Sequence, residues 1–298
     1  METRMKIRLF AALTATFLAA SAHAELLFKD DTGHEVRLRE PARRIIALAP
    51  HIAESLYAAG AGSRMVGTVD YSDYPPAAKQ LPRVGGYSRI DLEAIVALKP
   101  DLVIAWESGN NMVQADKLRA LGLTVYISQP NRMEDVASQL ERYGQLAGTS
   151  AVADVEARRF RERLAALQAA NASKPKVRTF YQIWKAPLMT VGGPQIISDA
   201  IRLCGGDNVF GHLKQMAPRI SVEAVIEANP EAIVATGMGD AKPEWLHDWD
   251  KWKSLTAVKR DNLFHINPDI MQRHTPRILD GATKLCAHLD VARSRRPK

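Results

Sequence analysis

The sequence predicts an α/β protein of two lobes, each built on a central, mostly parallel sheet, joined by one long α-helix. Three observations carry that expectation. Strands and helices alternate along the chain, one uninterrupted helical stretch divides it, and a helix–Pro–strand unit occurs once on either side of that stretch.

Taken in order, residues 26–40 (LLFKDDTGHEVRLRE) read as a hairpin with Asp-Thr-Gly as its turn. Apolar, β-branched runs at 44–49 (RIIALA), 65–69 (MVGTV), 102–105 (LVIA) and 124–127 (TVYI) read as buried strands. Helical patterns at 53–59, 92–98, 113–121 and 133–146 lie between and after them, so helices cover both faces of the sheet. Residues 150–172 contain no Gly or Pro and are rich in Ala, Arg, Glu and Leu. They read as a single helix, at about 1.5 Å per residue some 30 Å long, ended by Lys174-Pro175. The alternation then restarts, with strands at 176–182, 232–235 and 263–266 and helices at 196–203 and 275–289.

The repeated unit is the most informative feature. Residues 92–106 read LEAIVALKPDLVIAW and residues 222–236 read VEAVIEANPEAIVAT, at a constant offset of 130. Glu93 aligns with Glu223, Pro100 with Pro230 and Asp101 with Glu231. Each copy is a short helix, a Pro that cannot continue it and a buried strand, and Asp91 and Ser221 stand where N-caps belong. Two related lobes account for the echo.

Composition narrows the function. The chain has 298 residues, 46% hydrophobic and 24% charged, which is globular and excludes disorder. Its net charge is +7, but residues 1–24 carry +2 and the tail 291–298 carries +4, which leaves +1 for the body. A near-neutral body lacks the footprint of a nucleic-acid binder, and the basic tail reads as a frayed, solvated end. Residues 1–10 are basic, 11–20 are apolar but too short to span a bilayer, and Ala22-His23-Ala24 is a small-x-small cleavage site. A cleavable signal peptide over 1–24 and a mature chain from Glu25 are therefore expected, in an exported location, with no membrane insertion. Two cysteines exclude a CxxC zinc site; in an oxidising compartment Cys204 and Cys286 are either a disulfide or two buried thiols.

In open α/β sheets ligands gather beyond the carboxyl ends of the strands, so two facing lobes enclose a cleft there. His51, Tyr71, Trp106, Trp184 and the run Asp269 to Arg273 follow successive strands, and Tyr87 lies in a Gly85-Gly86 loop that can reach the same place. Tyr71, Tyr87, Trp106 and Trp184 offer flat faces to a large, partly apolar ring system, and Asp269 and Arg273 offer hydrogen bonds to its polar fringe. Catalysis finds no support: no GxSxG, HExxH, Walker A or GxGxxG occurs in a suitable context, and no spacing favours a Ser-His-Asp triad. His51 and His274 are the two histidines placed near the cleft, each either a neutral hydrogen-bonding group or a ligand; a dedicated metal site wants three or four donors. An exported hydrolase and a pure partner-binding module are the rival classes.

Four stretches carry a family resemblance: 70–76 (DYSDYPP), 98–106 (LKPDLVIAW), 204–210 (CGGDNVF) and 273–279 with Leu285-Cys286 (RHTPRIL…LC). They resemble the cobalamin-binding branch of the periplasmic binding proteins that serve iron-chelate and B12 ABC importers, from about Arg43 to Leu289. The resemblance implies two Rossmann-like lobes on a helical backbone: residues 25–148 and 174–290, connected by the helix 149–173. It implies a periplasmic, monomeric, non-enzymatic receptor with no resident cofactor, whose cargo is a corrinoid, cobalamin foremost, with haem or a ferric siderophore as the alternative cargo. Tyr71, Tyr87, Trp106 and Trp184 then face the corrin, with Asp269, Ile270, Met271, Gln272, Arg273 and His51 beside it. Glu93 and Glu223 match two surface carboxylates, one per lobe, that dock on the permease dimer, and Cys204 and Cys286 match a disulfide. Where the family places second-lobe aromatics, this chain has Ala217, Ile270-Met271, Ile183 and Met189. One stiff connecting helix implies limited hinge motion, and release when the two carboxylates engage the permease and the lobes are strained apart.

Overall fold

The computed structural model describes residues 25–237 and 243–297. The signal peptide expected over 1–24 lies outside the described residues. The described residues open with an antiparallel hairpin, β1 (Leu26–Lys29) and β2 (Glu35–Leu38), as its turn sequence predicts. The first lobe follows as β3 (Ile45–Ala47), α1 (Pro50–Ala58), β4 (Met65–Thr68), the small hairpin β5 (Gly85–Gly86) and β6 (Arg89–Ile90), α2 (Leu92–Ala97), β7 (Leu102–Trp106), α3 (Met112–Ala120), β8 (Val125–Ser128) and α4 (Met133–Ala147). Helix α5 (Ser150–Asn171) then crosses to the second lobe. That lobe runs β9 (Val177–Trp184), β10 (Met189–Thr190), α6 (Ile196–Leu203), β11 (Gly206–Asn208), α7 (Val222–Ala228), β12 (Ala232–Ala235), α8 (Thr256–Lys259), β13 (Leu263–His265), α9 (Pro268–Met271) and α10 (Ile278–Ser294).

The first sheet has the order β4-β3-β7-β8, all parallel. In the second the parallel strands run β11-β9-β12-β13, the same winding. The antiparallel β10 pairs only with the far end of β9. Because β3 and β7, or β9 and β12, lead off in opposite directions, a crevice opens beyond their carboxyl ends.

The sequence echo is also an echo in space. Asp91 and Ser221 cap α2 and α7 by accepting from the N–H of Ala94 (3.0 Å) and Ala224 (3.2 Å). Lys99 and Asn229, each before the Pro, both turn left-handed, with φ of 47° and 39°. Arg44 and Arg178, at the starts of the first strands, each donate to a carbonyl at the end of the following echo helix, Leu98 and Ala228. The backbone N–H groups of the same two arginines donate to Asp101 (2.9 Å) and Glu231 (3.2 Å).

Two expectations need correction. Helix α1 begins at Pro50 rather than Ala53, because Pro is tolerated in a first turn; His51 thereby becomes helical, and both it and Glu54 are buried. The basic tail is docked, not frayed. Arg293 donates to the carbonyls of Pro175 (2.8 Å) and Cys204 (2.7 Å), and Arg296 to both carboxylate oxygens of Glu231, at 2.9 and 2.8 Å. The reason is local: the Cys204 carbonyl closes α6 with no helical donor, and a guanidinium supplies one. Cys204 and Cys286 form a disulfide that ties α6 to α10.

Candidate functional site

One wall of the cleft is aromatic and belongs to the first lobe. Trp106 ends β7 with its ring over the Gly109 backbone; a Cβ at Gly109 would lie 1.9 Å from the indole Cε3. Glycine is thus required for the indole to lie where it does. Asn110 fixes the wall from behind. Its Oδ1 accepts from the Trp106 N–H (2.6 Å), and its Nδ2 donates to the carbonyls of Leu48 (2.8 Å) and Tyr87. One amide therefore joins the ends of β3 and β7 to the loop bearing Tyr87, whose ring centre lies 6.4 Å from that of Trp106.

His51 and His274 both pack against Trp106. His51 meets the indole edge-on at 4.9 Å, His274 does so at 5.8 Å, and the imidazole centres are 5.2 Å apart. Burial, then the nearby His274 and Arg273, hold the His51 pKa well below 6.5, and burial lowers that of His274 to about 4. Both are neutral at neutral pH.

The opposite wall comes from the second lobe. Trp184 ends β9, is half exposed and donates its indole N–H to the Ala186 carbonyl (3.1 Å). Ile183, Met189, Met216 and Ala217 complete an apolar surface, and Gln272 is steered by a hydrogen bond to Thr236 Oγ1 (2.5 Å). Between the walls is a cavity of about 650 Å³. That is a ligand-sized volume with mainly apolar lining and a few polar groups.

The walls are held together at one side. Arg273, on the turn after α9, donates to Asp73 (2.6 Å) and to the Tyr71 carbonyl (3.3 Å) of the first lobe, and pairs with Asp269 (3.0 Å). Four residues on, Arg277 grips Glu54 of α1 through Nε and Nη2, both at 2.6 Å. Thr275 donates to the same carboxylate at 2.7 Å. The Arg277 guanidinium also stacks on Tyr74, 3.7 Å from the ring centre.

Of the residues that the sequence placed in the site, Tyr87, Trp106, Trp184 and Gln272 line the cavity, with Ala217, Ile183, Met189 and His274. Tyr71 lies in the loop held by Arg273, largely exposed, with a left-handed φ of 63°. Asp269 and Arg273 stand at that joint. Six expected ligand contacts lie outside the cavity lining: Tyr71, Asp269 and Arg273, which stand at the joint, and three more. His51 is behind Trp106, because α1 starts early and buries it; Ile270 packs against the core; Met271 is fully buried, because α9 turns its apolar side toward α10. Sequence reasoning missed Glu54, Asp73 and Arg277. The only signal was the DYSDYPP and RHTPR stretches, which contain Asp73 and Arg277 without showing that the two stretches meet; neither contains Glu54.

Glu93 and Glu223 are exposed at the first turns of α2 and α7, at matching places in the two lobes. Hydrogen bonds to its own backbone and to Ser221 lower the Glu223 pKa. A second hollow of about 730 Å³, between the end of β11 and α7, contains none of the expected site residues. Among the described residues no cluster of three or more His, Cys, Asp or Glu can hold a metal, and no helix is long and apolar enough to cross a membrane.

Comparison with known proteins gives the geometry a context. The sequence profile of a family described as periplasmic binding protein matches residues 45–270. A vitamin B12-binding protein of Vibrio parahaemolyticus is 37% identical over 260 residues, covering 86% of this chain and 93% of that protein. One from Vibrio cholerae is 38% identical over 253 residues, covering 85% and 91%. The crystal structure of the periplasmic vitamin B12 binding protein BtuF of Vibrio cholerae superposes with a TM-score of 0.79 at 37% identity, over 85% of this chain and 98% of that one. The apo periplasmic heme-binding protein RhuT from Roseiflexus sp. RS-1 shares the fold, with a TM-score of 0.72 at 22% identity over 84% of this chain and 99% of that one.

Proposed function

This chain belongs to the periplasmic binding protein family, and from that premise we propose that it captures a corrinoid, cobalamin foremost, in the inter-lobe cleft and delivers it to an ABC importer. The observation that carries the reading is the cleft itself: Tyr87, Trp106 and Trp184 line a cavity of about 650 Å³ between two walls, with Gln272 among the apolar residues. Flat aromatic faces suit a macrocycle, and scattered amide and carboxylate groups suit its polar fringe. Tyr71 and Asp269 stand at the rim to extend both kinds of contact.

On this reading residues 1–24 direct export and the mature chain works in the periplasm as a monomer. Residues 25–148 and 174–290 are the lobes, and 149–173 the helix that restricts their motion. Glu93 and Glu223 present one carboxylate to each half of a permease dimer, and charge-assisted pairing with its cations strains the lobes apart for release. The protein performs no chemistry on its cargo.

Calorimetric titration of the mature protein with cyanocobalamin tests the reading, with haem and cobinamide as comparators. One-to-one cyanocobalamin binding, weakened in Trp106→Ala, is the expected result. Binding of haem alone would keep the fold and the receptor role but replace the cargo.

A further inference from the structure

Arg273 has its guanidinium engaged across the cleft, by Asp73 and the Tyr71 carbonyl of the first lobe. It is absent from the cavity lining, and its side chain is only 13% exposed. Three carboxylates surround it: Asp73 at 2.6 Å, Asp269 at 3.0 Å and Glu54 at 3.9 Å. Its Nη2 also donates to the Tyr71 carbonyl at 3.3 Å. Tyr71 needs such support. A non-glycine residue at a φ of 63° is strained, and Tyr71 is 74% exposed, so burial of its ring does not hold it there. From within its own lobe the loop is pinned on either side of Tyr71: the Asp70 N–H donates to the Gly85 carbonyl (2.9 Å), and buried Ser72 accepts at its hydroxyl from Thr68 (2.8 Å) and at its carbonyl from Arg83 (3.0 Å). Ties at Tyr71 itself and beyond it, through the Tyr71 carbonyl, the Asp73 side chain and the Tyr74 ring, come from the other lobe.

We propose that Arg273 and Asp73 form a cross-cleft strut that positions Tyr71 at the rim, so that Asp73 serves binding through Arg273 and Tyr71. Glu54 is the strut's footing. It is buried, and it holds the same segment two and four residues on through Thr275 and Arg277. Straining the lobes apart pulls Arg273 from Asp73 and frees Tyr71, which links lobe separation to loss of the rim contact. The inference rests on the corrinoid reading for its ligand but not for its geometry.

The test is a double-mutant cycle read by stopped-flow release of cyanocobalamin, with hydrogen exchange of residues 69–74 in the ligand-free protein as the second readout. Asp73→Asn and Arg273→Gln should each speed release roughly fivefold, in line with a half-exposed ion pair, and each should raise exchange in that loop. The double variant should be no worse than either single variant, and Asp73→Glu should restore most of the wild-type rate. Multiplicative effects in the double variant would overturn the proposal, because they would show that Asp73 acts independently of Arg273. Unchanged exchange in Asp73→Asn would also overturn it. A wild-type protein that bound no cyanocobalamin would defeat the corrinoid reading, yet the exchange experiment would still decide the strut.

Discussion

Glu54 of the first lobe accepts two parallel hydrogen bonds from Arg277 of the second, at 2.6 Å each, with its carboxylate almost wholly buried. The bidentate geometry and the third bond from Thr275 satisfy a charge that would otherwise be expensive to bury. Glu54→Gln leaves Arg277 facing a neutral amide that cannot accept on both arms. Since Arg277 is partly exposed, the expected loss is about 2–3 kcal/mol, read from urea unfolding. No change in the midpoint would mean that solvent replaces the carboxylate without cost.

Gly109→Ala tests how the aromatic wall is built. The new Cβ would collide with the Trp106 indole at 1.9 Å and push it from its place. Cyanocobalamin affinity should fall about tenfold or more, approaching that of Trp106→Ala, while the fold persists. Calorimetry on the two variants checks it, and equal affinity in Gly109→Ala and wild type would count against the wall.

The two buried imidazoles predict acid sensitivity of a definite sign. His274 has a native pKa of about 4, below its ordinary 6.5, so the unfolded chain binds the proton more readily. Its contribution to stability is complete above pH 6.5 and is lost as pH falls toward 4, by about 3 kcal/mol at full protonation of the unfolded state. His51 shifts in the same direction. Urea unfolding at pH 4.5 and 7 should show a steeper drop for wild type than for His274→Gln. Parallel curves would place the acid sensitivity elsewhere.

Reduction of the disulfide should matter. Cys204 and Cys286 close a loop with a separation of 82 residues, worth about 4.5 kcal/mol in the chain-entropy account. Thermal melting with and without dithiothreitol should show a clear fall in Tm, matched by Cys204→Ala/Cys286→Ala. An unchanged Tm would mean that the α6–α10 packing and the Arg293 bonds suffice alone.

Glu93→Ala and Glu223→Ala should each weaken docking on the reconstituted importer, and the double variant should abolish it, while cobalamin affinity stays at the wild-type level. Retained transport in the double variant would remove both carboxylates from the interface.

How much of this was legible in the sequence follows from what each residue type signals. The buried strands were legible because parallel strands are apolar on both faces, and 232–235 is recovered to the residue. The long helix was legible from its lack of Gly and Pro. The short strand β11 was not, since Gly206-Asp207-Asn208 carries no apolar run and is strand only because β9 lies beside it. In the site, Trp106 and Trp184 were placed by the rule that ligands lie beyond strand ends. Glu54 was invisible, because a Glu on a helix reads as solvated until its partner, more than two hundred residues away, is known. Met271 read as a cleft residue for the opposite reason: four-residue α9 is too short to show which side faces the core.

The echo between the lobes has a consequence for how the chain assembles. The bonds that tie each first strand to its echo helix, Arg44 to Leu98 and Arg178 to Ala228, span 54 and 50 residues, and neither needs the other lobe. The Glu54–Arg277 grip spans 223 residues. Closing the longer loop in an unfolded chain is entropically worse, so each half is expected to form its sheet on its own and the grip to form on docking. Pulse-labelling during refolding should then protect β3 and β9 before the amides of residues 273–277. The cleft is in that case the last feature to appear, and newly made chains pass through a stage with two finished halves and no binding site between them.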